Sequence, residues 1–125
     1  MKPFDVIIVG GGPAGATGGY WLGKAGLDVL IIDKSTFPRR KICGGGLTRR
    51  AFFEIPFDIS SVIHQEVNCG YIAFRGQHIK TIRAESPVAY MIDRLIFDSL
   101  LLEKAVAKGV RAVQGQLVKS IAEKK

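Results

Sequence analysis

Histidine and cysteine are scarce in this sequence. It carries two histidines, His64 and His78, and two cysteines, Cys43 and Cys69, among 125 residues. No His–Cys combination stands at metal-ligand spacing, so no metal site is expected. Two cysteines form at most one bridge and make no disulfide framework; two reduced thiols are expected, in a cytoplasmic compartment. No serine stands in a G-x-S-x-G context, which removes the nucleophile elbow. Long apolar runs are also missing. Phe4 to Val9 is broken by Asp5 and closes in glycine, too short to cross a bilayer and without the basic leader or cleavage site of a signal peptide. A soluble protein is expected, with contact at a membrane surface left open.

What is present is a core-forming apolar fraction of 47% and a formal charge of +7. The length suggests one domain, and the apolar fraction is ample for an ordinary core, which excludes disorder as the default reading. The charge favours anionic partners such as dinucleotides or phospholipids. Nucleic acid is not expected, because the basic residues are not interleaved with aromatics and no standard binding motif occurs.

"FDVIIVG" predicts a short buried strand, Pro13 to Lys24 a helix with Gly26 as its stop, and "LDVLIIDKS" a second buried strand ending at Asp33. Together they make a βαβ unit of about thirty residues, with parallel strands and a right-handed crossover. Gly18, Gly19 and Gly23 fall inside that helix, each costing roughly 1 kcal/mol relative to alanine. Packing and a ligand must therefore hold it.

Thr36 to Arg50 reads as a long functional connection rich in proline, basic residues and glycine. Residues 51–63 carry no clear pattern, and Pro56 breaks any long helix there. "CGYIAFRGQHIKTIRA" predicts two strands joined near Arg75 to Gln77. "DRLIFDSLLLEKAVAKG" predicts a helix capped by Asp93 and stopped by Gly109, with Leu95, Ile96, Leu102, Ala105 and Val106 as its apolar positions. "VRAVQG" reads as a further parallel strand, and "QLVKSIAEKK" as a frayed end. The fold class is α/β: a Rossmann-like βαβ core with a parallel sheet, incomplete, plus a small β-strand excursion. Residues 1–125 form a partial FAD/NAD(P)-binding domain, with 36–90 as loop and β excursion.

Gly10, Gly12 and Gly15 match G-x-G-x-x-G directly after a strand and at the opening of a helix. The first allows the tight turn, the second the approach of a pyrophosphate, and the third close helix–strand packing. Free amides and the dipole at the helix start favour phosphate. Asp33 stands at about the twenty-residue spacing at which a carboxylate accepts hydrogen bonds from a ribose diol. A 2′-phosphate would be repelled there, which disfavours NADP and leaves FAD and NAD open.

"DVIIVGGGPAGATGGYWLGKAG", "IIDKSTFPRRKICGGGL" and "MIDRLIFDSLLLEKAVAKGV" together resemble the amino-terminal part of the geranylgeranyl reductase family, within the wider flavoprotein group that includes aromatic hydroxylases. The likeness runs with gaps from Asp5 to about Val113, and "CGGGL" is its most specific part. It implies FAD, with Gly10, Gly12, Pro13, Ala14 and Gly15 at the pyrophosphate, Asp33 at the adenosine ribose with Lys34 beside it, and Arg94 and its helix supporting the cofactor. Cys43 and Gly44, with the two glycines that follow, would approach the region where flavin and prenyl substrate meet. Cys43 is thereby the candidate catalytic proton donor, against its reading as a small packing residue.

The resemblance further implies a dinucleotide partner, an isoprenoid substrate whose double bonds are reduced, and NAD(P)H as an external electron donor. Family members run on to a glycine–aspartate segment that also binds flavin, and no "GD" pair occurs here. The chain is accordingly expected to be an incomplete part, inactive alone and weak in retaining FAD. An exposed sheet edge would pair with a missing carboxy-terminal partner or a second copy. A flavin hydroxylase fragment and a non-catalytic dinucleotide-binding module are the alternatives. A cytoplasmic location, peripheral to a membrane, fits the substrate class.

Arg39, Arg40, Lys41, Arg49 and Arg50 bracket the glycine run and are candidates to neutralise phosphate, against a solvated basic loop. Tyr20 and Trp21 are expected to pack. Tyr71, Phe74 and Tyr90 are expected in the core by strand alternation, with lining of a lipid pocket as the other reading.

Overall fold

The computed structural model describes residues 3–123. In chain order its elements are β1 (Val6–Val9), α1 (Pro13–Lys24), β2 (Val29–Ile32), β3 (Gly46–Thr48), α2 (Arg49–Glu54), a 3-10 turn (Ser60–Val62), β4 (Ile63–Val67), β5 (Cys69–Phe74), β6 (Gln77–Arg83), β7 (Ala89–Ile92), α3 (Arg94–Val106) and β8 (Arg111–Val113). They divide into two compact units. One runs up to Lys41 and resumes at Leu95; the other is Ile42–Arg94.

The first unit is the α/β core. Its sheet is parallel in the order β1-β2-β8, with Val6 opposite Val29 and Leu30 opposite Arg111. β2 is central, and its Val29 and Ile31 are buried with Ala16 and Tyr20 of α1 and Phe97, Leu101, Leu102 and Ala105 of α3. Both helices end as expected. Gly26 and Gly109 have φ of +84° and +87°, and after each the chain folds back, Leu27 N–H onto the Leu22 carbonyl and Val110 N–H onto that of Ala105.

The glycines within α1 follow from how closely the helix lies on its neighbours. A Cβ on Gly15 would overlap the Gly10 carbonyl oxygen, and one on Gly23 would come within 2.8 Å of the Lys108 carbonyl oxygen. Close backbone approach thus offsets part of the low helix propensity. Gly18 differs, because a Cβ there would meet nothing within 4 Å.

Three expectations for this unit are corrected. β1 is half-buried, not buried: Ile7 and Val9 are 58% and 57% exposed, since α1 covers one face of the strand. On α3 the buried stripe is Phe97, Asp98, Leu101, Leu102 and Ala105, while Ile96 and Val106 point outward at 47% exposure each. Tyr20 packs in the core but Trp21 is exposed; its ring meets Tyr20 edge-on and lies under the Lys24 ammonium, 4.8 Å from its centroid.

The second unit holds an antiparallel sheet in the order β3-β7-β4 and a separate β5-β6 hairpin. β7 is central, so Tyr90 and Ile92 are buried, and Tyr90 stacks on Phe52 of α2 with centroids 4.2 Å apart. The Thr48 hydroxyl accepts from Ala51 N–H at the head of α2. α2 stops before Pro56, whose ring forces Ile55 into the extended conformation that it adopts. The stretch read as a long connection to Arg50 therefore ends in β3 and enters α2, and β4 and β7 are elements the sequence reading lacked.

The hairpin turns at Arg75 and Gly76, with φ of +50° and +77°, the positive values that two-residue hairpin turns require. Every residue of β5 and β6 is exposed. Tyr71 and Phe74 are thus not core residues of this unit; only Tyr90 of the three aromatics is buried.

Gly18→Ala is expected to stabilise the chain by about 1 kcal/mol, because its side chain enters open space. Gly15→Ala should instead cost on the order of 3 kcal/mol by forcing the turn off the helix. Thermal denaturation followed by far-UV circular dichroism checks both; matching midpoints for the two variants would refute this account of α1.

Candidate functional site

The site grows from the point where β1 turns into α1. Gly10 has a φ of +104°, a conformation open to glycine and strained for other residues. Its N–H still donates to the Ile32 carbonyl at 2.8 Å, so β1 stays tied to β2 while the chain reverses. Gly12 then precedes the helix in an extended conformation, with no side-chain cap and no acidic residue in the first turn. First-turn amides have no partners inside a helix. A helix start left uncapped between glycines suits an anion.

Asp33 lies directly beyond β2 and is 8% exposed. One carboxylate oxygen accepts from Gly11 N–H at 2.7 Å and the other from Ser35 N–H at 2.8 Å. An ionised carboxylate offers about four acceptor positions, so two remain for hydroxyl donors. The carboxylate that suits a ribose diol is thus also a brace for the glycine turn.

A cavity of about 400 Å³ opens beside these residues. Val9, Gly10, Ile32, Asp33 and Lys34 form one wall, Arg39, Arg40 and Lys41 another, and Gln116, Leu117 and Val118 a third. Four cations, Lys34 among them, and one braced carboxylate around such a cavity match an anionic ligand carrying a sugar. Arg39 lies against the glycine turn: its Nη2 is 3.4 Å from where a Cβ on Gly12 would stand, and its Nη1 is buried with no hydrogen-bond partner. Buried donors are nearly always paired in folded proteins, so this orphan is an opening for a ligand oxygen. The residues present fit a dinucleotide.

Of the residues singled out in the sequence, the structure gathers Gly10, Asp33, Lys34, Arg39, Arg40 and Lys41 around one cavity, with Gly12, Pro13, Ala14 and Gly15 at the adjoining helix start. Cys43, Gly44 and Arg94 belong to the second unit. There Cys43 is exposed and unbridged, and its sulfur lies 3.5 Å from Gly45 N. Gly45 has a φ of +72°, and a Cβ on it would overlap the Ile92 carbonyl oxygen; the middle glycine of the run is required by the β3–β7 contact itself. Arg49 and Arg50 head α2 in that unit.

Sequence reading missed Asp98 and the stretch after β8. Asp98 is fully buried and pairs with Arg39, Nη2 to Oδ2, at 3.2 Å. Its signal was available, because helical spacing sets it in one stripe with Leu101, Leu102 and Ala105. Gln116, Leu117 and Val118 carry no regular structure, yet Gln116 N–H donates to the Asp33 carbonyl at 2.9 Å; nothing in their composition marks that role. Among the described residues, no cluster of three or more His, Cys, Asp or Glu could hold a metal, and no helix is long and apolar enough to cross a membrane.

Residues 3–54 match the family model of an FAD binding domain. Over 121 residues, 97% of this chain and 31% of the relative, the chain is 40% identical to an uncharacterised protein of Methanosarcina barkeri. It is 34% identical over 128 residues to a 1H-pyrrole-2-carbonyl-[peptidyl-carrier protein] brominase of Pseudoalteromonas luteoviolacea, covering 97% of this chain and 30% of that one. Among solved structures, a geranylgeranyl bacteriochlorophyll reductase-like protein from Thermoplasma acidophilum superposes with a TM-score of 0.79 at 31% identity, over 90% of this chain and 30% of its own. The chain spans about a third of the length of these relatives. Residues 3–54 carry the FAD-binding-domain match, and the chain is similar to part of larger geranylgeranyl-reductase-like and halogenase-like proteins.

Asp33→Ala is expected to lower stability by about 1–3 kcal/mol with no nucleotide added, since Gly11 and Ser35 N–H groups both lose their acceptor. Asp33→Asn, which keeps one acceptor oxygen, should fall between. Chemical denaturation of the three proteins provides the comparison, and an unchanged midpoint for Asp33→Ala would remove the bracing role.

Proposed function

We propose that this chain is the FAD-binding amino-terminal part of an oxidoreductase that reduces isoprenoid double bonds. The observation that carries the cofactor half is the uncapped helix start at Gly12 beside the braced Asp33 and the unpaired Nη1 of Arg39. The substrate half rests on the "CGGGL" segment and on likeness to the Thermoplasma reductase-like protein.

In this reading the turn from Gly10 to Gly15, through Gly12, Pro13 and Ala14, receives the pyrophosphate. Asp33 accepts from the adenosine ribose through its remaining lone pairs, with Lys34, Arg40 and Lys41 supplying positive potential. By the family resemblance, Arg94 and Gly44 are further candidates to support the cofactor. FAD, when bound and reduced by NAD(P)H as external electron donor, would supply the hydride for reduction of a carbon–carbon double bond. Reduction also needs a proton at the other carbon. Cys43 is our candidate to deliver it, being exposed and next to a glycine backbone that leaves room for a lipid chain.

The reading implies a cytoplasmic protein that meets its prenyl lipid at a membrane surface. A carboxy-terminal portion, or failing that a second copy, would complete the open sheet edge. A flavin-dependent halogenase is the second reading, favoured by the likeness to the brominase; a hydroxylase-type fragment or a non-catalytic module are the remaining ones.

Titration of the purified chain with FAD, followed by flavin fluorescence, tests the cofactor half. Saturable binding is expected, with most of the flavin lost on removal of free cofactor and no turnover by the chain alone. Absence of any saturable signal in a folded sample would overturn it. With a separately supplied carboxy-terminal portion, reduction of a geranylgeranyl group is the expected activity; incorporation of bromide into a pyrrole would instead establish the halogenase reading.

A further inference from the structure

Arg39 is held differently from the other cations of its segment. Arg40 and Lys41 are exposed, whereas the Arg39 side chain keeps only 16% of its surface and its Asp98 partner keeps none. Two groups fix the guanidinium. Asp98 Oδ2 takes Nη2 at 3.2 Å, and the Phe37 ring lies against the guanidinium carbon with its centroid 4.8 Å away. Phe37 is itself anchored, its N–H donating to Gln114 Oε1 at 2.6 Å and its ring tip lying 3.5 Å from where a Cβ on Gly11 would be.

The clamp leaves Nη1 buried and without an acceptor. Burying a fully ionised pair costs desolvation that a single ion-pair contact does not reliably return, and an orphan donor adds to it. The arrangement makes sense if the donor is completed by something absent from the chain itself. A guanidinium suits this task, because one edge can be engaged by a carboxylate while its remaining coplanar donors stay aimed at another oxygen. An ammonium, as a point charge, cannot be held in an orientation in the same way.

We infer that Asp98 is a positioning residue for cofactor binding: from α3 it orients Arg39 so that the free Nη1 meets a phosphate oxygen of the dinucleotide beside the Gly10–Gly15 turn. This rests on the FAD reading above. Asp98 acts through Arg39 and touches no ligand. It also explains why an acid stands in an otherwise apolar helical stripe, among Phe97, Leu101 and Leu102.

The test uses the whole chain and three variants, Asp98→Asn, Arg39→Lys and the double substitution, with FAD affinity measured by equilibrium fluorescence titration. Adenosine, which carries no phosphate, is measured by competition against FAD. Each single variant is expected to weaken FAD binding about tenfold, in line with loss of one charge-assisted hydrogen bond. The double variant should weaken it little further, since both changes remove the same oriented donor. Adenosine affinity should stay within about twofold of the parent. Equal losses for FAD and adenosine, additive losses in the double variant, or parental FAD affinity in a folded Arg39→Lys protein would each overturn the inference. If Asp98→Asn does not fold by far-UV circular dichroism, Arg39→Lys decides, because it keeps a cation opposite Asp98. A parent chain that binds neither FAD nor ADP would defeat the cofactor reading, and this inference with it; a parent that binds while no variant differs defeats the inference alone.

Discussion

One residue ties together the nucleotide end of the α/β unit. Asp33 contributes four polar groups, and each is engaged with a different part of the chain. Its two carboxylate oxygens accept from Gly11 and Ser35; its N–H donates to Val113 and its carbonyl accepts from Gln116. The glycine turn, the turn after β2, the end of β8 and the stretch beyond it all close on this point. A carboxylate with 8% exposure would be costly to bury in apolar surroundings. Satisfied by backbone donors and bordering a cavity lined with cations, it becomes the fixed reference for the walls around it.

The glycines of α1 are the second half of the same constraint. Because the Gly10 carbonyl occupies the space a side chain on Gly15 would need, the helix start can sit directly against the end of β1. That closeness puts the uncapped first turn next to the Asp33 brace and next to Arg39. Local helix propensity is sacrificed at Gly15, Gly19 and Gly23 for contact with backbone or with Ile31. The site is thus a by-product of packing as much as of motif: remove the close approach, and the helix start no longer adjoins the carboxylate and the guanidinium.

How much of this could be read from residues alone depends on whether a signal was periodic, local or relational. The βαβ unit was legible because strand, glycine turn, helix and acid stand in fixed order, and α1 covers Pro13–Lys24 as its pattern indicates. β8 was legible from the valines at 110 and 113 that follow a glycine stop. β3, β4 and β7 were not. β3 contains a glycine and lasts three residues, and β7 draws its strand character from being sandwiched between two partners, which only tertiary pairing supplies. Tyr71 and Phe74 had the right alternation but the wrong inference, since alternation reports two faces and says nothing of whether either is covered. Asp98 was overlooked by counting only apolar positions along α3. A charged residue in register with Leu101 and Leu102 was the stronger observation.

The same contrast separates the two units chemically. In the first, the polar groups at the cavity are braced by backbone bonds and an ion pair, so their geometry is set by the fold. In the second, the surroundings are looser: Cys43 and Gly44 are exposed, Ile42 beside them is fully so, and both faces of the β5–β6 hairpin are open. A two-stranded hairpin gains little stability by itself, and its apolar residues Tyr71, Ile72, Phe74 and Ile79 all remain more than 40% exposed. The braced groups of the first unit are fixed by contacts already made, whereas Cys43 stands in surroundings that the described residues leave open; the related proteins the chain matches run to about three times this length.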